Sequence, residues 1–258
     1  MTFKTEQEQF WAGTFGVDYI ERNKSAEYLA SNLSFFSKAL QRVGKPESIL
    51  EFGANIGMNL RAIRLLFPSI QAKVIEINPS AAAELKSWMG EDNVFEGSIF
   101  DYSSNLQVDV SLIKGVLIHI NPDMLQNVYE KLYTASKQYI LICEYYNPTP
   151  VTIPYRGHND RLFKRDFAGE MLDKYPDLQL IDYGFCYKRD LGRMLALLRL
   201  FEMFNQSHIQ CAISTNRFKH AERFFIAVDL ILQLNALVTN RIRFNKNGWN
   251  ACINHGGF

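Results

Sequence analysis

Apolar residues along this chain fall into two alternating patterns. Short, near-continuous apolar runs read as buried strands over residues 48–52, 72–77, 93–99, 108–113, 139–145 and 178–188. Between them, apolar positions recur at helical spacing over residues 57–66, 79–89, 122–136 and 161–175, the second opened by a proline in its first turn. Residues 5–42 also read as helical: Phe10, Trp11 and Phe15, then Tyr28, Leu29, Leu33 and Phe36 keep that spacing, with Gly13 and Gly16 as breaks. Apolar strands separated by helices predict an α/β fold, a Rossmann-like, mostly parallel sheet covered by helices on both faces. Ligands of such sheets lie at the carboxyl ends of the strands, near the point where strand order reverses. Every polar residue that ends a strand is therefore a candidate for function.

Composition divides the chain. Residues 1–190 hold 20 Lys and Arg against 24 Asp and Glu, whereas residues 191–258 hold 8 against 3 and contain none of the eight prolines. This predicts a helical cap over 1–46, a ligand-binding domain over 47–190 and an atypical segment over 191–258. Residues 191–198 read as helix, and 224–228 are the candidate for a final strand. The basic, Asn-rich tail suits either an appendage or an end read in a shifted frame. The net charge of +1 argues against nucleic acid as partner. No run reaches the roughly 18 apolar residues of a membrane span, and the polar N-terminus is not a secretory signal. Cys143, Cys186, Cys211 and Cys252 form no C-x-x-C pair, so free thiols in the cytoplasm and no metal site are expected. Oligomeric state is left open.

The clearest local motif is Glu51-Phe52-Gly53-Ala54-Asn55-Ile56-Gly57, which closes the first strand and opens a helix. Gly53 permits a turn at positive φ and close approach of backbone to a ligand. The spacing is G-x-x-x-G, not the G-x-G-x-x-G of dinucleotide sites, and Glu51 would repel a phosphate but suits an ammonium group. At the end of the second strand, Glu76 is placed to accept both hydroxyls of a ribose. Together these residues resemble motifs I and II of class I S-adenosylmethionine (SAM)-dependent methyltransferases. That resemblance implies SAM as cofactor, with Glu51, Gly53, Asn55 and Gly57 around its methionine moiety and Glu76 and Ile77 at the ribose. It places adenine beside Ser98 and Ile99, although the acid common at the Ser98 position is absent.

Three further stretches narrow the resemblance. They are Trp11-Ala12-Gly13-Thr14-Phe15-Gly16 with Tyr19 and Arg22, the segment 114–122, and the block from Glu144 to Glu170. They are similar to the methyltransferases associated with pseudaminic acid biosynthesis, a likeness covering residues 5–190. It implies a small-molecule acceptor, a nonulosonic sugar or its precursor. Proton removal from a hydroxyl or amine needs a base, for which His119, Glu144 and His158 are the candidates. Arg156 and Arg161, with Tyr146, Asn147 and Tyr155, would bind a carboxylate-bearing sugar, since guanidinium matches carboxylate as a planar fork. Tyr19 and Arg22 would close over the cofactor, Arg22 pairing its carboxylate. The competing readings are a SAM-binding module without catalysis and, more remotely, a nicotinamide oxidoreductase.

Overall fold

The computed structural model describes residues 2–186 and the backbone of 197–203. Three helices come first: α1 (Glu6–Ala12), α2 (Thr14–Arg22) and α3 (Ala26–Ala39). Then follow β1 (Ser48–Phe52), α4 (Met58–Leu66), β2 (Gln71–Glu76), α5 (Pro79–Met89), β3 (Val94–Glu96) and β4 (Val108–Lys114). The remainder is α6 (Leu125–Ala135), β5 (Ser136–Glu144), β6 (Val151–Thr152), β7 (Phe163–Lys164), α7 (Phe167–Lys174), β8 (Leu178–Phe185) and β9 (Leu197–Met203). Seven strands form one sheet in the order β3-β2-β1-β4-β5-β9-β8, and β6 pairs only with β7. All neighbours from β3 to β5 are parallel, while β9 runs antiparallel to both β5 and β8.

Alternation along each strand builds a core on both faces. Ile49, Val74, Leu112 and Leu141 face one layer, where Phe36 of α3, Ile63 of α4 and Leu85 of α5 pack. Leu50, Phe52, Ile113 and Ile140 face the other, against Val128 and Leu132 of α6 and Met171 of α7. The chain moves outward from β1 to β2 to β3, then returns to place β4 on the other side of β1. The crevice above β1 and β4 is thus the switch point.

Several boundaries differ from expectation. Gly13 ends a helix, but Gly16 lies inside α2. The helix expected over 161–175 begins only at Phe167, because Asp166 caps it, its carboxylate accepting from the Gly169 amide at 2.9 Å. Phe163 and Lys164 pair instead with β6. Leu197 and Leu198, read as helical, open β9, beyond the compositional seam at Asp190. The rest of that stretch and the candidate strand at 224–228 lie outside the described residues. Among the described residues, no helix is long and apolar enough to cross a membrane.

The α1–α2 pair is latched onto the sheet by Asn78, whose side-chain amide donates to the carbonyls of Trp11 at 3.0 Å and Gly13 at 3.3 Å. The same side chain caps α5, accepting from the amides of Ser80 and Ala81. Gly16 is needed for the approach: a Cβ there would sit 2.0 Å from the Trp11 carbonyl oxygen and 2.6 Å from the Asn78 amide nitrogen. Gly16→Ala is expected to lift this pair while sparing the sheet. Limited trypsin digestion should then cut at Arg22 and Lys24 several-fold faster, with the main thermal transition little changed.

Candidate functional site

A cavity opens above the switch point, its floor made by strand ends and its roof by α1 and α2. The floor is built by the turn after β1. Gly53, Asn55 and Gly57 take φ of 75°, 50° and 79°, so three of five consecutive residues are left-handed. At Gly53 any side chain is excluded twice, by φ and by Val116, whose Cγ2 would lie 2.6 Å from an added Cβ. Asn55 tolerates its conformation by folding its own Oδ1 onto the Ile56 amide at 2.6 Å.

Three carboxylates end strands here, and each is buried. Glu76 closes β2, lines the cavity and holds the turn, accepting from the amides of Asn55 at 2.6 Å and Asn78 at 2.7 Å. Burial raises its pKa, against the pull of those bonds. Glu51 lies fully buried beneath the floor; one oxygen accepts from Asn59 Nδ2 at 2.6 Å and the other has no partner. Burial pushes it up to about 8, opposed by the Asn59 bond and by the charge of Lys114. Glu144 closes β5 and accepts from the amides of Val116 and Leu117, both at 2.8 Å. Burial pushes it up to about 7 in spite of these bonds.

Those bonds fix the turn after β4, which carries Lys114 and His119 into the cavity. Lys114 Nζ donates to Asn32 Oδ1 at 3.2 Å and lies over the rings of Tyr28 and Phe35. His119 Nδ1 lies 2.6 Å from the Arg161 carbonyl oxygen. A carbonyl only accepts, so Nδ1 carries the proton and Nε2 keeps its lone pair. Burial drives the ring's pKa down to about 4, the Arg161 bond acting the other way, so His119 is neutral at physiological pH. Trp11 and Tyr155 pack against it with centroids at 4.6 and 5.3 Å.

The expected residues separate cleanly. Gly53, Asn55, Glu76, Ile77, Ser98, Ile99, Tyr19 and His119 line the cavity. Gly57 stands behind it, packed on Trp88 and Leu85 at the start of α4. Arg22 is not in the cavity: it is exposed, its guanidinium over the rings of Phe15 and Tyr19, and the cation that does line the cavity is Lys114. Glu144 is a positioning group rather than a base facing the cavity. Arg161 is tied to Glu6 at 3.0 Å and to Asp160, so its fork is already engaged. Arg156 and His158 sit in an exposed reverse turn closed by Tyr155, with φ of 53° at Arg156. Tyr146 is exposed, and Asn147 is bonded to Thr149 within its own loop. Lys114, Glu8 and Asn59 were not anticipated; for Lys114 the signal was a charge closing an apolar strand. Among the described residues, no group of three or more His, Cys, Asp or Glu is arranged to hold a metal ion.

No protein-family model matches the sequence, and no curated protein matches it. Solved structures do match. The mitomycin 7-O-methyltransferase MmcR aligns with a TM-score of 0.55 at 16% identity over 78% of this chain, which spans 61% of that protein's length. The Burkholderia thailandensis 1,6-didemethyltoxoflavin-N1-methyltransferase, solved with its substrate and S-adenosylhomocysteine, gives a TM-score of 0.58 at 13% identity, covering 80% of this chain and 94% of that one. Magnesium protoporphyrin IX methyltransferase from Synechocystis PCC 6803, solved with SAM, gives 0.54 at 9% identity, covering 79% and 100%. The chain has the class I methyltransferase fold. At such identities the likeness speaks for the fold alone, and the chemistry rests on the residues of this site.

If Glu144 acts by holding the turn, its charge is dispensable and its carbonyl-type acceptor is not. Glu144→Gln is expected to cost less than about 1 kcal/mol in urea denaturation. Glu144→Leu, which strands two buried amides, should cost roughly 2–5 kcal/mol.

Proposed function

We propose that this chain is a SAM-dependent methyltransferase acting on a small molecule, with His119 as the base. One observation carries the cofactor assignment: the order of groups along the strand ends. Lys114 on β4 lines the cavity and offers a cation, and Glu51 on β1, buried beneath the floor, holds a half-satisfied carboxylate, a pair complementary to the zwitterion of an amino acid. Glu76 on β2 next door offers a carboxylate suited to a vicinal diol. Ser98, Ile99 and Phe100 after β3 make a largely apolar end suited to a planar base. Amino acid, ribose and base follow one another in SAM in that sequence. An acidic floor also fits a cationic ligand and disfavours the pyrophosphate of a nicotinamide cofactor.

Bound SAM would supply an electrophilic methyl group on a sulfonium centre. The chain's own part is to orient the acceptor, exclude water and take its proton. His119 Nε2 does the last, held in one tautomer by the Arg161 carbonyl and placed by the turn that Glu144 pins. The acceptor proposed from the pseudaminic-type resemblance is a nonulosonic sugar or its precursor. In support, the Tyr155–His158 turn brings Tyr155 against His119. A second acceptor class is favoured by a different observation: Trp11, Tyr19 and Tyr28 line the cavity with His119, an aromatic lining that suits a planar heteroaromatic.

Incubation with methyl-labelled SAM and a panel of free and nucleotide-activated nonulosonic acids and heteroaromatic phenols and amines tests the reaction. Label should pass to one class, and His119→Ala should lower kcat by about 10²–10⁴-fold. Binding of S-adenosylhomocysteine without transfer to any acceptor would favour a non-catalytic module.

Glu51 makes the cofactor reading measurable. Its pKa is raised from 4.5 to about 8, so the free folded protein holds a proton that the unfolded chain gives up, and stability falls as pH rises across that window. An ammonium group binding at Glu51 favours its ionised form and expels that proton. Calorimetry of S-adenosylhomocysteine binding at pH 7 in buffers of different ionisation enthalpy should show release approaching one proton. The release should vanish near pH 9.5 and in Glu51→Gln.

A further inference from the structure

The outer end of the cavity holds a group that the strand-end pattern does not account for. Glu8, on the roof helix α1, is almost fully buried and lines the cavity beside Ser98. Its two oxygens have different duties. Oε2 accepts from the amides of Lys4 at 2.5 Å and Thr5 at 3.1 Å, closing the capping box that starts α1. Oε1 accepts a hydrogen bond from the Ser98 hydroxyl, while Ser98 Oγ itself accepts from the Phe100 amide at 3.0 Å. With one bond accepted, Oε1 retains a lone pair. A buried carboxylate on a cavity wall made of Ile99 and Phe100 is an acceptor at the edge of an apolar slot.

Resting on the SAM reading, we infer that Glu8 accepts the exocyclic amino group of the cofactor's adenine, so that the roof helix rather than the sheet reads the base. The position follows from the sheet. β3 is the next strand outward from β2, about 4.8 Å on, so a ligand whose diol meets Glu76 carries its base over the residues after β3. The turn there presents a hydroxyl, and that hydroxyl is already committed as donor to Glu8. The carboxylate is a buried acceptor on the cavity wall beside that hydroxyl. Because the same carboxylate starts α1, base recognition and seating of the roof are one event. The roof is tethered to the body by Lys4–Asp101, Glu6–Arg161 and the Gln7 amide on the Asp160 carbonyl.

The distinguishing variant is Glu8→Gln. Two backbone amides on one side fix the glutamine carbonyl toward Lys4 and Thr5, which turns its NH₂ toward Ser98 and the cavity. An acceptor at the base edge becomes a donor. Calorimetry on the full chain should show the wild type binding S-adenosylhomocysteine at least about tenfold tighter than S-inosylhomocysteine, whose base carries a carbonyl in place of the amino group. Glu8→Gln should abolish or invert that preference. Thr5→Ala, which weakens the helix cap but keeps the carboxylate, should weaken both ligands alike and preserve the ratio. Equal weakening of both ligands by Glu8→Gln would reduce Glu8 to a helix cap and overturn the inference. Equal binding of the two by the wild type would overturn it whether or not the variant folds. A wild type that binds neither ligand would instead remove the cofactor reading, and this inference with it.

Discussion

The structure is organised around the burial of carboxylates at the ends of parallel strands. A carboxylate withdrawn from water costs several kcal/mol unless its lone pairs are met, and β1, β2 and β5 each carry one into the core. The loops above the sheet take the shape that meets them. Glu76 draws in the amides of Asn55 and Asn78, which bends the turn after β1 and starts α5. Glu144 draws in Val116 and Leu117, which sets the turn after β4. Glu51 and Glu144 each keep one oxygen without a partner, and Glu51 lies beneath the methionine end of the proposed ligand. Glu144 is held by two backbone amides, whereas Glu51 is met by the Asn59 side chain without a backbone amide, so a ligand has most to gain at Glu51.

The same logic extends to the roof. Glu8 belongs to α1 by sequence and to the cavity by position, just as Asn78 caps α5 and latches α1. In the proposed site neither half is complete alone: the sheet would supply the zwitterion and diol contacts, while the helices would supply the cover and the acceptor at the outer end. Exclusion of water therefore depends on short helices that are held by side-chain contacts rather than by a continuous core. Such elements open at lower free energy than the sheet does, which gives a ligand a route into a cavity this well covered.

The sheet and its motif turn were legible because both are local. A buried strand announces itself by an apolar run, and a left-handed turn by glycine, so Glu51, Gly53 and Glu76 could be placed from neighbours alone. What failed was long-range pairing. Arg161 and Arg22 were assigned by residue type, but a guanidinium goes to whatever partner the fold provides, here Glu6 and Asp160 for one and aromatic faces for the other. The absence of an acid at Ser98 read as a defect because its replacement lies 90 residues earlier in the chain. Helical spacing over 161–175 was equally misleading at its start, where β7 pairing and the Asp166 cap outweigh periodicity.

The treatment of His119 fits a cationic cofactor in particular. A histidine with its ordinary pKa would be partly protonated near neutrality, and an imidazolium beside a sulfonium would repel the ligand and have no lone pair to offer. Packing the ring between Trp11 and Tyr155 removes water and keeps it neutral across the physiological range. The single carbonyl bond at Nδ1 is strong enough to fix the tautomer but too weak to restore the charge. The low pKa makes a weak base, yet little more is required: methyl transfer leaves the acceptor far more acidic than before, so the proton need only be received as it becomes labile. In the proposed reaction burial would serve electrostatics and proton transfer together, with an aromatic cage rather than a carboxylate partner around this histidine.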